Sequence, residues 1–384
     1  MTARDVTTGS HGAGPHVTGP HVTGPHVTGP HVTGPRDSGL QVTGTAQRDA
    51  WRARVLPPVE QVRPGLWSVP VPIPDNPLRY TLSYTFTGDA GTQIVDPGWD
   101  SAAGRRALTD GLATAGVTLG DVTGIVVTHI HPDHHGLSGW VREQSGAWIA
   151  MHAAEAETLP ARIWPDQEPG ADHDWLRGHG VPEDDAALLL AMDPAHVARV
   201  LDLPEPDRFV ADAERLPIAG RDVRAIWTPG HTPGHLCLHD AAAGVLLTGD
   251  HLLPRISPNI SVLSTRDADP LSDYLASLDR TGSFGADEAL PAHEYRFRGL
   301  GVRSAALIAH HHDRSAEILH VIDRLGQPTA WTIASQLTWS RGWAALHGMM
   351  RRMALGETVA HLNYLTTIQA VRPVDGPPLR WTRT

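Results

Sequence analysis

The residues best suited to chemistry fall in one run, Thr128-His129-Ile130-His131-Pro132-Asp133-His134-His135-Gly136. Two histidines two positions apart on extended chain point the same way, so His129 and His131 can meet one metal ion. Asp133 and His134 lie on the following turn and can serve a second. The run directly follows Val122–Val127, an apolar, β-branched stretch, so four ligand-type side chains surface where a buried strand ends. Later segments offer further partners. His231 and His235 belong to Thr228-Pro229-Gly230-His231-Thr232-Pro233-Gly234-His235, a Pro/Gly-rich turn between strands. Asp250 and His251 close Leu247-Thr248-Gly249-Asp250-His251, and His293 closes Leu290-Pro291-Ala292-His293. A lone strand-end aspartate is usually a turn former. Four such motifs in this order are hard to obtain without a shared site. Nitrogen and carboxylate donors without thiolate suit Zn²⁺, and imidazole-rich sites also accept Fe or Mn.

Elements that could position these groups are legible around them. Strands are predicted at Gln61–Pro70, Tyr80–Gly88 and Thr92–Asp96, and a helix over Ser101–Ala115 with Leu108, Leu112 and Ala115 on one face. Strands return at Val223–Trp227, His235–His239 and Val245–Thr248. Chemistry at strand C-terminal ends is the habit of layered α/β folds. The catalytic-type domain is read as residues 51–300. Within it, 152–215, with Trp164 and Trp175, is read as a helical insertion, a lid outside the sheet. Helices at Ser304–Leu325, after the cap Thr329, and at Gly356–Thr366, then a strand at Ile368–Arg372, predict a small winged-helix domain over 301–376. Residues 377–384 form a tail. Residues 16–35 repeat His-Val-Thr-Gly-Pro four times. Gly and Pro in every unit oppose helix and sheet, so 1–50 is expected to be disordered.

Composition narrows the function classes. The 384 residues carry 31 basic groups, all arginine, against 42 acidic ones, a net charge of −11. Residues 301–384 hold nine arginines against five acidic residues, so the negative excess is concentrated in the central part. Such a charge gives no general attraction for nucleic acid or an anionic membrane. The single cysteine, Cys237, excludes an internal disulfide framework and fits a reducing compartment. No apolar run is long enough to span a bilayer, and the N-terminus lacks a secretory pattern, so a cytoplasmic protein is expected.

The ordered motifs over residues 60–296 resemble the metallo-β-lactamase superfamily. The resemblance implies an αββα sandwich carrying a two-metal hydrolytic site. Position by position it implies His129, His131 and His231 on the first ion, Asp133, His134 and His293 on the second, and Asp250 bridging both. Asp133 would also hold the attacking hydroxide by a hydrogen bond. Asp96, in Val95-Asp96-Pro97-Gly98, matches an early aspartate that orients a ligand. The pattern selects His231 over His235, leaving His235 as a packed, hydrogen-bonded neighbour, and gives His135 no ligand role. His251 is a candidate for substrate contact or proton donation. His131 stands where the oxygen-reducing branch carries Glu, which favours hydrolysis. The winged helix, the Asp250-His251-Leu252-Leu253-Pro254 run and Gly356-Glu357-Thr358-Val359-Ala360-His361-Leu362 resemble a glyoxalase II-like branch. A small ester-like substrate, preferably a thioester, is therefore expected. Cleavage of single-stranded RNA is the alternative, followed by lactone or β-lactam hydrolysis, with a DNA-binding metal sensor as a further class. The winged helix would pack on the catalytic domain or build a homodimer.

Overall fold

A computed structural model describes residues 39–384 apart from 90, 164–167, 169, 192–193, 219, 263–268 and 375. Two sheets form the centre. The first has seven strands in chain order, Glu60–Arg63, Leu66–Pro72, Tyr80–Gly88, Gly91–Val95, Val122–Val126, Trp148–Met151 and Arg208–Phe209. Its first four strands pair antiparallel and its later ones parallel. The second orders Gln41–Val42, Phe297–Arg298, Glu288–Pro291, Val245–Gly249, Leu236–Asp240 and Val223–Trp227.

Period-two burial explains the layering. Val95, Val126, Leu236 and Leu238 point into the core between the sheets. Their neighbours Ile94, Ile125 and Val127 face the helix Ala102–Thr114 through Leu108 and Leu112. On the other side Cys237 and Leu246 face the helix Pro270–Gly282 through Leu271, Tyr274 and Leu278. The result is helix, sheet, sheet, helix, as expected. Among the described residues no helix is long and apolar enough to cross a membrane.

Two segments differ from the sequence reading. The repeats at 16–35 lie outside the described residues, but the supposedly disordered stretch has structure from residue 41 onward. Gln41–Val42 pairs with Phe297–Arg298, and the helix Thr45–Ala53 buries Gln47, Ala50 and Trp51. The stretch 152–215 is not wholly outside the sheet, because Arg208–Phe209 adds the last parallel strand beside Trp148–Met151. Nor is it simply a lid. Its helices Ala171–Gly178 and Glu183–Leu190 bury Trp175, Leu176, Ala186 and Leu189 among Ile318, Ile322, Leu355 and Val359 of the C-terminal region. Trp164 lies outside the described residues.

The C-terminal region is helical: Leu300–Leu325, Ala330–Gln336 and Gly348–Thr367, followed by the paired strands Val371–Val374 and Arg380–Arg383. Thr329 caps the second helix, its hydroxyl accepting the Thr332 N–H. The first helix belongs to both halves of the protein. Leu300 and Leu307 pack against the second sheet, whereas Ile318, Val321 and Ile322 enter the C-terminal core.

Candidate metal centre

Strand direction brings the site together. Gly91–Val95 and Val122–Val126 run parallel and end side by side, with the Asp96 N–H bonded to the Val126 carbonyl at 3.1 Å. Val245–Gly249 and Glu288–Pro291 likewise run parallel in the second sheet and lead to Asp250 and His293. The two sheets are tied at this edge by Leu236 N–H to Thr128 O at 3.0 Å and Leu82 N–H to Ala292 O at 2.6 Å. Gly249 makes the approach feasible. It has φ +49°, and a Cβ there would stand 2.6 Å from His235 Nε2.

Three triads converge: His129, His131 and His231; His129, His134 and Asp250; and Asp133, His134 and His293. Within each, the ligand atoms lie within 4.8 Å of one another. The outer nitrogen of most rings is already committed. His134 Nδ1–H donates to Asp96 Oδ2 at 2.8 Å, His293 Nδ1–H to Tyr80 O at 2.9 Å and His231 Nδ1–H to Asn259 O at 2.9 Å. Thr128 gives its hydroxyl proton to Asp96 at 2.7 Å, so at 3.0 Å it accepts from His129 Nδ1–H. These bonds fix the tautomers and leave each Nε2 lone pair aimed at the common space. His131 Nδ1 and His231 Nε2 face one another at 3.2 Å.

The inner atoms are those that an ion would satisfy. Among the described residues His129 Nε2, His134 Nε2, His293 Nε2 and Asp250 Oδ1 are buried without a hydrogen-bond partner. Buried polar atoms are rarely left so, and their convergence fits a cation. Electrostatics agree. Burial, then the neighbouring imidazoles, pushes His129 and His131 well below the usual histidine range, into the neutral ligand form. Burial also opposes charge on His134 and His293, but Asp250 and Asp133 outweigh it. They hold His134 well above the usual range and raise His293 to about 10.

Both groups are raised, so they are protonated near pH 7 in the ion-free protein, and ion binding must displace those protons. Apparent metal affinity should therefore rise with pH toward about 10, by about tenfold per unit for each proton displaced. Adding zinc at pH 7 in weak buffer with an indicator dye should release protons; none released would contradict this.

Asp96 and His235 both sit beside the triads. Asp96 Oδ1 accepts the Thr128 N–H at 2.8 Å, while Oδ2 takes Thr128 Oγ1 and His134 Nδ1. Its φ of +53° turns the carboxylate back toward the motif. Asp96→Asn can accept at only one oxygen, so metal affinity should fall about 10–100-fold in a zinc competition titration. His235 Nε2 accepts the Asp250 N–H at 3.2 Å, which leaves Nδ1–H to pair with Thr228 Oγ1 at 2.8 Å. Both nitrogens are used, so it steadies Asp250. His135 is bonded to Ser138 Oγ and Pro204 O, away from the triads.

His251 departs from the expectation. It is fully buried, its Nε2 pairs with Thr281 Oγ1 at 2.9 Å, and its ring packs on Tyr274. Burial lowers its pKa to about 3, which favours the neutral imidazole. Its ring is thus directed onto Pro270–Gly282, through Tyr274 and Thr281.

Three positioning residues were missed from sequence. Glu155 Oε1 accepts the Ile130 N–H at 2.7 Å and Oε2 the Gly234 N–H at 2.8 Å, clamping two ligand-bearing turns together. Asn259 holds His231 through its carbonyl and donates its side-chain amide to Glu357 at 3.4 Å. Arg303 donates to the Leu253 and Ile256 carbonyls, fixing the segment after Asp250. No local motif marks them; each acts on a segment distant in sequence.

Two sheets meeting at an edge of histidines and carboxylates define a metal-dependent hydrolase. The chain belongs to the metallo-β-lactamase superfamily, whose family model matches residues 76–293. It is similar to metallo-beta-lactamase family protein TTHA1429 from Thermus thermophilus, with 35% identity, a TM-score of 0.70, and coverage of 84% of this chain and 100% of that one. It is 25% identical to the probable metallo-hydrolase YqjP of Bacillus subtilis over 76% of this chain and 89% of that protein. It is 27% identical to the acyl-coenzyme A thioesterase MBLAC2 of Gallus gallus over 63% of this chain and 83% of that protein.

Proposed function

We propose that the protein is a two-zinc hydrolase of small thioesters. The observation that carries the metal chemistry is the convergence of five imidazoles and two carboxylates, with His129 Nε2, His134 Nε2, His293 Nε2 and Asp250 Oδ1 buried without a hydrogen-bond partner. In this reading His129, His131 and His231 would hold one ion and Asp133, His134 and His293 the other, with Asp250 placed to serve both. When bound, such a pair lowers the pKa of a shared water toward about 7 and polarises the scissile carbonyl. The chain supplies the rest. Asp96, Asn259 and the Tyr80 carbonyl keep the imidazoles aimed, and Asp133 Oδ2, 3.3 Å from His293 Nε2, would accept a hydrogen bond from a water held there. The C-terminal helices and hairpin are read as winged-helix-like, with the third helix supporting the centre through Glu357.

Likeness to an acyl-coenzyme A thioesterase supports the substrate class. The acidic central part of the chain would repel a polyanion, which counts against RNA. A zinc-loaded preparation screened against acyl-coenzyme A esters, lactones, β-lactams and single-stranded RNA should turn over the thioesters. Chelation and Asp133→Ala should both abolish that turnover. Silence on every ester-like substrate, with RNA cleaved, would overturn the reading.

A further inference from the structure

Besides the metal centre, the protein has a cavity of about 470 Å³, lined in part by Arg54, Leu56, Asp75, Asn76, Arg79 and Tyr80. One residue joins the two places: Tyr80 walls the cavity, and its carbonyl fixes the His293 ring. The loop 73–79 leaves the first sheet at the edge where Asp96 and Thr128 stand, because Tyr80–Gly88 runs antiparallel to Gly91–Val95. Ile73 and Leu78 then pack on Trp99, Leu253 and Ile256, in the segments that follow Asp96 and Asp250.

Charge sets this cavity apart within an acidic domain. Arg79 lies over the Trp51 ring at 4.3 Å and donates to the Trp51 carbonyl. Partial burial lowers its pKa, and the positive charges of Arg54 and Arg255 lower it further. Among the described residues neither Arg54 nor Arg79 has an ion-pair partner. Arg255 approaches only Glu294, at 3.9 Å. Among the described lining residues Asp75 is the acidic one. The backbone is held as well: Arg54, Asp75 and Arg79 have φ of +60°, +53° and +67°, a region that non-glycine residues rarely adopt. Like charges gathered on a strained, fixed wall await an anion. Guanidinium forks match phosphate oxygens, and exposed Leu56 adds apolar surface for an organic group attached to them.

The geometry points to a subsite that holds the phosphate groups of a thioester's carrier half while the acyl end reaches the metal centre. This rests on the thioester reading above. It is tested with zinc-loaded protein on acetyl-coenzyme A and on S-acetyl-N-acetylcysteamine, which lacks phosphate. Arg54→Ala should raise KM for acetyl-coenzyme A by about tenfold or more, the scale of one lost charge-assisted hydrogen bond. Arg79→Gln should act in the same direction. The effect on the phosphate-free ester should be at least about tenfold smaller. Adenosine 3′,5′-bisphosphate should inhibit competitively against acetyl-coenzyme A.

Equal effects on both esters, no effect on either, or non-competitive inhibition would overturn the subsite. Arg79 anchors to Trp51, so should its variant fail to fold, exposed Arg54 carries the test. Should neither thioester turn over, the functional reading fails by itself. The subsite is then judged by calorimetric binding of adenosine 3′,5′-bisphosphate: weakening by Arg54→Ala supports it, and equal affinity overturns it.

Discussion

Asp250→Ala is expected to cut hydrolytic activity by about three orders of magnitude and to lower the zinc bound per chain. Asp250 Oδ1 lies 3.2 Å from His293 Nε2 and 3.5 Å from His134 Nε2, and Oδ2 lies 3.7 Å from His231 Nε2. It is thus the carboxylate that faces rings from both ends of the site. Burial works against its charge, yet His293 and His134 hold it well below the usual carboxylate range. Breaking a buried charge pair costs about 3–5 kcal/mol, or about two to three and a half decades in an equilibrium or rate. Asp250→Asn keeps the shape and should lose most of the same activity while melting near the wild-type temperature. Activity of Asp250→Ala within tenfold of wild type, measured on saturating substrate and zinc, would contradict the assignment.

Glu155→Ala should produce the largest loss of stability at a residue that touches no metal ligand side chain. Its two carboxylate oxygens satisfy the part-buried N–H of Ile130 and the buried N–H of Gly234, one in each ligand-bearing turn. Each orphaned donor costs about 1–3 kcal/mol, so urea unfolding should show a loss of about 2–6 kcal/mol. The gap between the His129–His131 turn and the His231 turn should also weaken zinc binding about 10–100-fold. Glu155→Gln keeps one acceptor but turns an amide N–H₂ toward the other donor, so it should recover only part of the loss. Wild-type stability in both variants would show that the clamp is idle.

Glu155 also shows where sequence reading stops. It sits in the short helix Ala153–Ala156, in an Ala-rich stretch with no periodic signal, and its partners come from turns on either side of it in sequence. Asn259 and Arg303 escaped for the same reason. By contrast, the ligand motifs were legible because ligand-type residues follow apolar runs whose period and length mark buried strands. Burial then placed those strand ends at one edge. The helix Ala102–Thr114 was legible despite Gly104 and Gly111, because those glycines are buried where Gly111 meets Val69. Gln41–Val42 was not, since two residues carry no pattern and their partner is Phe297–Arg298. His251 was misjudged because adjacency to Asp250 says nothing of side-chain direction. The strand ends at Gly249, and the ring turns back onto Tyr274 and Thr281.

The most direct test of the two-metal account is zinc content measured alongside thioesterase activity on the same samples during chelation and reloading. Two zinc ions per chain, with activity that disappears on chelation and returns with zinc, is the predicted result. Full thioester hydrolysis by protein stripped of metal would contradict it.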